Sequence, residues 1–231
     1  MSRHFKGKKA IFFIGPPGSG KDTQTNLLEE KLGFYKFITG DEGLRYISEH
    51  MDDPFTAKQK ENYDSGLLYD PEWLVERVQK GKAVELLKGG YRGVIFSGSP
   101  RTLYEAERLP EILGDIIGKE NVITVVIEVD EEELRKRAKD RLVCDKDENH
   151  TFSIRLDGVK LGDVCPEGDG RLGRKSLDEE IDTRLRQYEE RTRPGIDYLK
   201  KNGKVVFIDG NPAPDKVGEN IDEALKKEGF L

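Results

Sequence analysis

Residues 10–24 read Ala10-Ile11-Phe12-Phe13-Ile14-Gly15-Pro16-Pro17-Gly18-Ser19-Gly20-Lys21-Asp22-Thr23-Gln24. The first five are an unbroken apolar run, rich in aromatic and β-branched side chains. Such a run predicts a strand covered on both faces. Gly15, Pro17, Gly18, Ser19 and Gly20 then form a glycine-rich loop that ends on Lys21 and opens a helix near Asp22. A phosphate-binding loop requires this order. Glycines let several backbone N–H groups point at one phosphate, the helix N-terminus adds a favourable dipole, and the lysine supplies a mobile charge for β- and γ-phosphates. A serine or threonine usually follows that lysine. Here the position is Asp22, and the hydroxyl arrives one residue later at Thr23.

Outward from this stretch, Val94–Phe96, Val122–Val129 and Val205–Ile208 are further short apolar runs, with Phe34–Ile38 a weaker fifth. Thr23–Leu32, Glu72–Leu87, Leu103–Ile117, Glu131–Arg141, Asp178–Lys201 and Asp215–Lys227 have helical length and period. Strands alternating with helices predict a parallel sheet with helices on both faces, an α/β sandwich. Residues 40–73 and 142–175 fit this alternation poorly. Both read as insertions at the ligand edge of the sheet. Within the second, Asp157-Gly158 between Thr151–Leu156 and Val159–Leu161 predicts a small β-hairpin with a type I′ turn.

Composition narrows the classes. The chain has 231 residues, 39 basic and 45 acidic, for a formal net charge of −6. An acidic balance argues against a broad nucleic-acid or anionic-membrane surface. No run approaches the roughly 18 apolar residues of a membrane span. Lys6, Lys8 and Lys9 ahead of Ala10–Ile14 imitate a signal peptide, but the apolar stretch is too short and leads into the glycine-rich loop. Two cysteines cannot build a disulfide framework, so a cytoplasmic, reducing setting is expected.

The segment Gly15–Gln24 resembles the adenylate kinase family, whose loop reads Gly-Lys-Gly-Thr-Gln, with glycine where this chain has Asp22. The resemblance runs over essentially the whole chain. Ile38-Thr39-Gly40-Asp41 with Arg45 resembles the family's Ser-Thr-Gly-Asp-x-x-Arg, with one extra residue before the arginine. Asp64-Ser65-Gly66-Leu67-Leu68-Tyr69 resembles the exit of the monophosphate-binding insert. Gly98-Ser99-Pro100-Arg101-Thr102 resembles Asp-Gly-Phe-Pro-Arg-Thr, with Ser97 in place of the aspartate that helps hold the water shell of magnesium. The resemblance implies that Arg101 grips phosphates at the transfer point, a task suited to a guanidinium fork.

Glu105 stands where the family usually has a glutamine that reads adenine. An ionised glutamate only accepts hydrogen bonds, so it would pair with the adjacent N–H donors of guanine and not with adenine. Equally, it reads as a solvent-facing glutamate in Glu105-Ala106-Glu107-Arg108. The acceptor base stays open on residues alone, and AMP follows from the resemblance.

The family's remaining cations correspond to Arg137 and Arg141, which at a spacing of four share one face of the helix Glu131–Arg141, and to Arg174 and Arg184. The lid stretch Arg174-Lys175-Ser176-Leu177-Asp178-Glu179-Glu180 lacks the family's aspartate pair. Cys144 and Cys165 bracket the expected hairpin, where many relatives hold zinc on two Cys-x-x-Cys pairs. The partner positions are Asp147 and Gly168, so free thiols, a mixed-ligand zinc completed by His150, Glu167 or Asp169, and a disulfide all remain open.

The resemblance thus implies a P-loop NTPase three-layer sandwich with a central parallel five-stranded sheet and two mobile inserts. Its core would be residues 1–39, 74–141 and 176–231, with a monophosphate insert at 40–73 and a lid at 142–175. It implies a monomeric enzyme that transfers a phosphoryl group from ATP–Mg²⁺ to AMP. Lys21, Arg101, Arg141, Arg174 and Arg184 would be catalytic. Gly15, Pro17, Gly18, Ser19, Gly20, Lys21, Asp22, Thr23, Gln24, Arg137 and Arg141 would bind ATP, and Thr39, Arg45, Leu68, Tyr69, Gly98, Arg101 and Glu105 the monophosphate. A kinase for GMP or a pyrimidine monophosphate, and a nucleotide-binding protein with little catalysis, are the alternatives.

Overall fold

The computed structural model describes residues 5, 7–65, 67–147, 150–174 and 181–231. The expected helix start at Asp178, the lid residues 175–180 and Gly66 lie outside them. Strand β1 (Lys9–Ile14) leads into α1 (Lys21–Leu32), which stops at Gly33, whose left-handed φ of 62° lets its N–H bond the Glu29 carbonyl. Next come β2 (Tyr35–Ile38), α2 (Thr39–Glu49) and α3 (Pro54–Asp64). A continuous helix, α4, follows as Pro71–Trp73, a π-helical stretch Leu74–Gln79, and Lys80–Lys88. Asp70 caps its first turn by accepting from Trp73 N at 2.9 Å, with Pro71 at the first helical position. Then come β3 (Gly93–Ser97), α5 (Leu103–Ile117), β4 (Val122–Glu128) and α6 (Glu131–Asp140).

After α6 a small sheet forms from β5 (Arg141–Cys144), β6 (Thr151–Ser153) and β7 (Leu172–Gly173), with a helical turn α7 (Ile154–Asp157). The chain returns through α8, made of Ile181–Gln187, a π-helical Tyr188–Thr192 and Arg193–Asn202, and ends on β8 (Val205–Asp209) and α9 (Pro214–Lys227).

The large sheet has the order β2-β3-β1-β4-β8, and every neighbouring pair is parallel. This is the expected five-stranded α/β sandwich. Successive side chains of a strand face opposite ways, and β1 shows the result. Ala10 and Phe12 join Phe37, Trp73, Phe96 and Leu109 on one face, while Ile11 and Phe13 join Leu28, Ile123, Val125 and Ile221 on the other. Phe12 stacks on Phe96 at 4.8 Å between ring centroids, directly across the β1–β3 ladder. Because β1 lies between β3 and β4, the chain leaves it in both directions, and a crevice opens at its carboxyl end.

Two local expectations are corrected. Arg141 is not on the helix with Arg137: it is extended (φ −74°, ψ 130°) and pairs with Ser153 as the first residue of β5. The hairpin does not turn at Asp157-Gly158 either. Instead β5 pairs antiparallel with both β6 and β7, and Ser153 caps α7 by accepting from Leu156 N at 3.2 Å. Gly158 does take a positive φ, 68°, but as the end of that helical turn. The dipeptide's left-handed preference fits a helix terminus as well as a hairpin.

Replacing Phe12 by alanine empties a site with no solvent exposure. It should lower the unfolding free energy by about 3–5 kcal/mol, read as a lower urea midpoint with an unchanged slope.

Candidate active site

Between β1 and α1 the chain turns through Gly18 (φ 82°) and Gly20 (φ 86°), conformations that side-chain-bearing residues rarely adopt. Gly15 is required for a different reason. A Cβ there would sit 2.5 Å from Ser19 Oγ and 3.0 Å from the Ile127 carbonyl oxygen. Ser19 N donates back to the Pro16 carbonyl at 3.1 Å, and the Ser19 hydroxyl is buried with no partner among the described residues. Pro17 is half-buried in the loop and Thr23 is exposed on the first turn of α1. Gly18 lies against α6, where an added methyl would come within 3.6 Å of the Leu134 carbonyl. Gln24 is buried, and its amide donates to the Pro214 carbonyl at 2.8 Å, which fastens α1 to α9.

Lys21 is the electrostatic centre. Burial lowers its pKa, and Arg101, Arg184 and Arg141 push the same way, with only Asp22 opposing them. Three arginines from three separate parts of the chain therefore act on one lysine. Burial opposes ionisation of Asp22, but Lys21, the Ser97 hydrogen bond, Arg101 and Lys36 outweigh it and hold the carboxyl below its ordinary range. Ser97 Oγ donates to Asp22 Oδ1 at 2.7 Å, bridging the carboxyl end of β3 to the start of α1.

Beyond β3, Gly98 has φ 74° and the Ser99–Pro100 peptide is cis. Arg101 Nε donates to the Gly98 carbonyl at 2.5 Å, and Thr192 Oγ1 of α8 donates to the Arg101 carbonyl at 2.9 Å. Glu105 completes the hold. It is 2% exposed, and its Oε2 accepts from Ser99 Oγ at 3.0 Å and from Arg101 N at 3.2 Å. Its Oε1 accepts from Thr102 Oγ1 at 3.0 Å, while Thr102 Oγ1 accepts from Glu105 N at 3.3 Å, a reciprocal cap of α5. Glu105 is thus not a solvent-facing charge. The carboxylate is turned inward and braces the turn that carries Arg101.

At the other insert, Thr39 is buried at the start of α2, its Oγ1 3.4 Å from the Ser97 carbonyl it donates to. Tyr69 is buried, stacks on Tyr63 and donates to the Gly40 carbonyl at 3.1 Å, with half-buried Leu68 beside it in sequence. Arg45 is bonded to Glu42 and Glu49 of its own helix. On the lid side Arg137 Nη2 donates to the Gly210 and Asn211 carbonyls at 2.8 and 3.1 Å, and Arg174 donates to the Lys139 carbonyl.

Comparison with known proteins matches this arrangement to one family. The adenylate kinase family profile covers residues 13–204. The adenylate kinase of Methanosarcina barkeri is 34% identical over 219 residues, 94% of this chain and 98% of that protein. Those of Syntrophotalea carbinolica and Acetivibrio thermocellus are 33% and 32% identical, each over 93% of this chain and 97% of theirs. The chain belongs to the adenylate kinase family. It is accordingly a phosphotransferase of the adenylate kinase type, working on ATP with Mg²⁺. No helix among the described residues is long and apolar enough to cross a membrane.

The zinc-bearing region of the family is represented by three groups. Cys144, Cys165 and His150 bring their ligand atoms within 4.8 Å of one another. Both cysteines are free and buried, so the disulfide alternative is not formed. Backbone N–H groups of Lys146 and Asp147 lower the Cys144 thiol pKa, whereas burial raises that of Cys165. His150 Nδ1 lies 3.5 Å from Cys165 Sγ, and its Nε2 lies 3.6 Å from Asp147 and 3.8 Å from Glu167. Two thiols and an imidazole, with carboxylates at the rim, are a donor set that suits zinc.

Glu105 yields a pH prediction. Burial raises its pKa above the ordinary carboxylate value, outweighing its three hydrogen bonds and the Arg101 charge. The folded state therefore holds this proton to higher pH than the unfolded chain, and the group's contribution to stability falls as pH rises beyond the unfolded value. Urea titrations of the parent and Glu105→Gln, run between about pH 4 and 7, should show the difference shifting against the parent as pH increases.

Proposed function

We propose that this adenylate kinase family member catalyses ATP + AMP = 2 ADP, with Mg²⁺ accompanying the donor. The carrying observation is the convergence of Arg101, Arg141 and Arg184 on Lys21 in a protein of net charge −6. Asp22 offsets part of that charge, but burial adds to the cost of keeping Lys21 ionised, so a bound polyanion would stabilise the site. Polyphosphate is the ligand whose charge matches.

In this reading the amides of Gly15–Gly20 and Lys21 hold the donor phosphates. Arg101, fixed by Gly98, Glu105 and Thr192, aligns the transferred group, and Arg141, Arg174 and Arg184 offset the charge that builds on it. Thr39, Arg45, Leu68, Tyr69 and Gly98 border the acceptor. Arg45 reaches it by exchanging Glu42 and Glu49 for phosphate. No general base is required, because phosphoryl transfer depends chiefly on positioning and charge stabilisation. We assign 40–73 and 142–175 as inserts that close over the core, with the sheet of the second beginning at Arg141. Magnesium supplies charge neutralisation on the phosphates, and the oxygens of Asp22 and Thr23 are the chain's groups nearest that task in sequence. The acceptor rests on the relatives' name, adenylate kinase. The inward turn of Glu105, bonded to Ser99, Arg101 and Thr102, supports AMP over GMP. We also read the protein as cytoplasmic from its sparse cysteines, as a monomer by its resemblance to the family, and as taking no nucleic acid on its acidic balance.

A coupled assay with ATP–Mg²⁺ against AMP, GMP, CMP, UMP and dTMP, beside direct ATP binding, tests this. AMP should be the best acceptor; ATP binding without transfer to any of them would overturn it. Lys21→Ala and Arg101→Ala should each lower turnover by about 10²–10³-fold or more, with far-UV circular dichroism and melting temperature nearly unchanged.

We propose further that Cys144, His150 and Cys165 hold a structural Zn²⁺, with Asp147 or Glu167 as the fourth group. Purified protein should carry about one zinc per chain, following the four-coordinate pattern of structural sites. Chelation or His150→Ala should lower the melting temperature, and metal-free protein of unchanged melting temperature would exclude the site.

A further inference from the structure

In phosphate loops at large, a hydroxyl on the residue after the lysine and a carboxylate from a neighbouring strand serve the Mg²⁺ that travels with the nucleotide, and the family this chain belongs to has glycine at the first position and keeps the strand acid. Here the residue after the lysine is an acid and the strand β3 ends on an alcohol. The two touch: Ser97 Oγ donates to Asp22 Oδ1 at 2.7 Å. That bond orients the carboxylate and leaves Oδ2 available. Among the described residues no lysine or arginine lies within ion-pair distance of Asp22, though Lys21, Arg101 and Lys36 act on it from farther off, and the residue keeps exposed surface at the start of α1. An anion so placed, next to Lys21 and where phosphates are to bind, repels them unless a cation lies between. Magnesium is commonly held by one or two carboxylates together with substrate phosphates.

We propose that Asp22, oriented by Ser97, is the carboxylate that holds Mg²⁺ in the ATP complex. The acid has moved from the end of β3 to the start of α1, across strands that are neighbours in the sheet. Both positions open on the same crevice, so the metal meets one carboxylate either way. A second consequence concerns selectivity. Asp22 disfavours metal-free ATP, so the site discriminates between ATP–Mg²⁺ and bare ATP before any chemistry. Lys21 acts in the opposite sense, attracting both forms. The inference rests on the ATP site proposed above.

The test is ATP binding by calorimetry, with saturating Mg²⁺ and with EDTA, backed by electron paramagnetic resonance of Mn²⁺–ATP on the protein. In the parent, chelation should weaken ATP binding by at least about tenfold. In Asp22→Gly the ratio should fall to within about threefold, mainly because metal-free ATP binds more tightly. Asp22→Gly combined with Ser97→Asp should restore the parent ratio. Asp22→Asn keeps the shape and the Ser97 bond while removing the charge, and should behave as Asp22→Gly even if the glycine destabilises α1. Variants that keep the parent ratio and an unchanged Mn²⁺ spectrum overturn the inference. So does a parent whose ATP affinity ignores Mg²⁺, with the ATP site itself intact. Absence of ATP binding under both conditions would instead overturn the nucleotide site.

Discussion

The structure has to keep a largely desolvated lysine charged among other cations. Lys21, Arg101, Arg141 and Arg184 belong to the loop after β1, the turn after β3, the start of β5 and the helix α8, and nothing local in sequence brings them together. Burial, and after it the charges of Arg101, Arg184 and Arg141, lower the pKa of Lys21 against the pull of Asp22, so keeping this group charged costs the folded chain. The parallel sheet supplies the opposing free energy. Phe12, Phe37, Phe96, Ile123 and Ile127 are wholly buried in and around its central strands, and their transfer from water is worth roughly 1.5–3 kcal/mol apiece for full burial. The packed sheet is what allows the crevice to stay charged.

Rigidity matters as much as burial at such a site. The turn bearing Arg101 is held by a carboxylate from α5, a hydroxyl from α8 and the Gly98 carbonyl, and Gly195 lets α8 approach until an added methyl would be 3.0 Å from the Thr102 carbonyl. A guanidinium fixed at its backbone has less freedom to lose when it meets phosphate.

Much of this was legible in the residues. The strand–loop–lysine–helix order of residues 10–24 sets the central strand and the phosphate end of the sheet, because continuous apolar runs and glycines at positive φ have few other uses. What escaped reading depends on which way a side chain turns. Glu105 and Gln24 are polar residues at exposed-looking places, yet each is pulled inward by backbone partners distant or unpredictable in sequence, Pro214 for Gln24 and Ser99–Thr102 for Glu105. Arg141 sits one residue beyond α6, where helical periodicity still matches although the backbone has already become extended. For Asp157-Gly158 the positive φ was readable, but not whether a turn or a helix end would use it. Asp22 and Ser97 each look like a defect alone and become a pair only once the β1–β3 neighbourhood is known.

The helix α6 has one further property. Its Leu134 backs the phosphate loop at Gly18, its Arg137 fastens the segment after β8, and its far end carries the small sheet through Asp140, which with Glu133 pairs to Arg155 at 3.1 and 3.0 Å. Ten residues of α-helix span about 15 Å, so it acts as a stiff rod with a load at each end. The glycine loop and the small sheet therefore share one continuous helix as their common support, one against its flank and the other at its end.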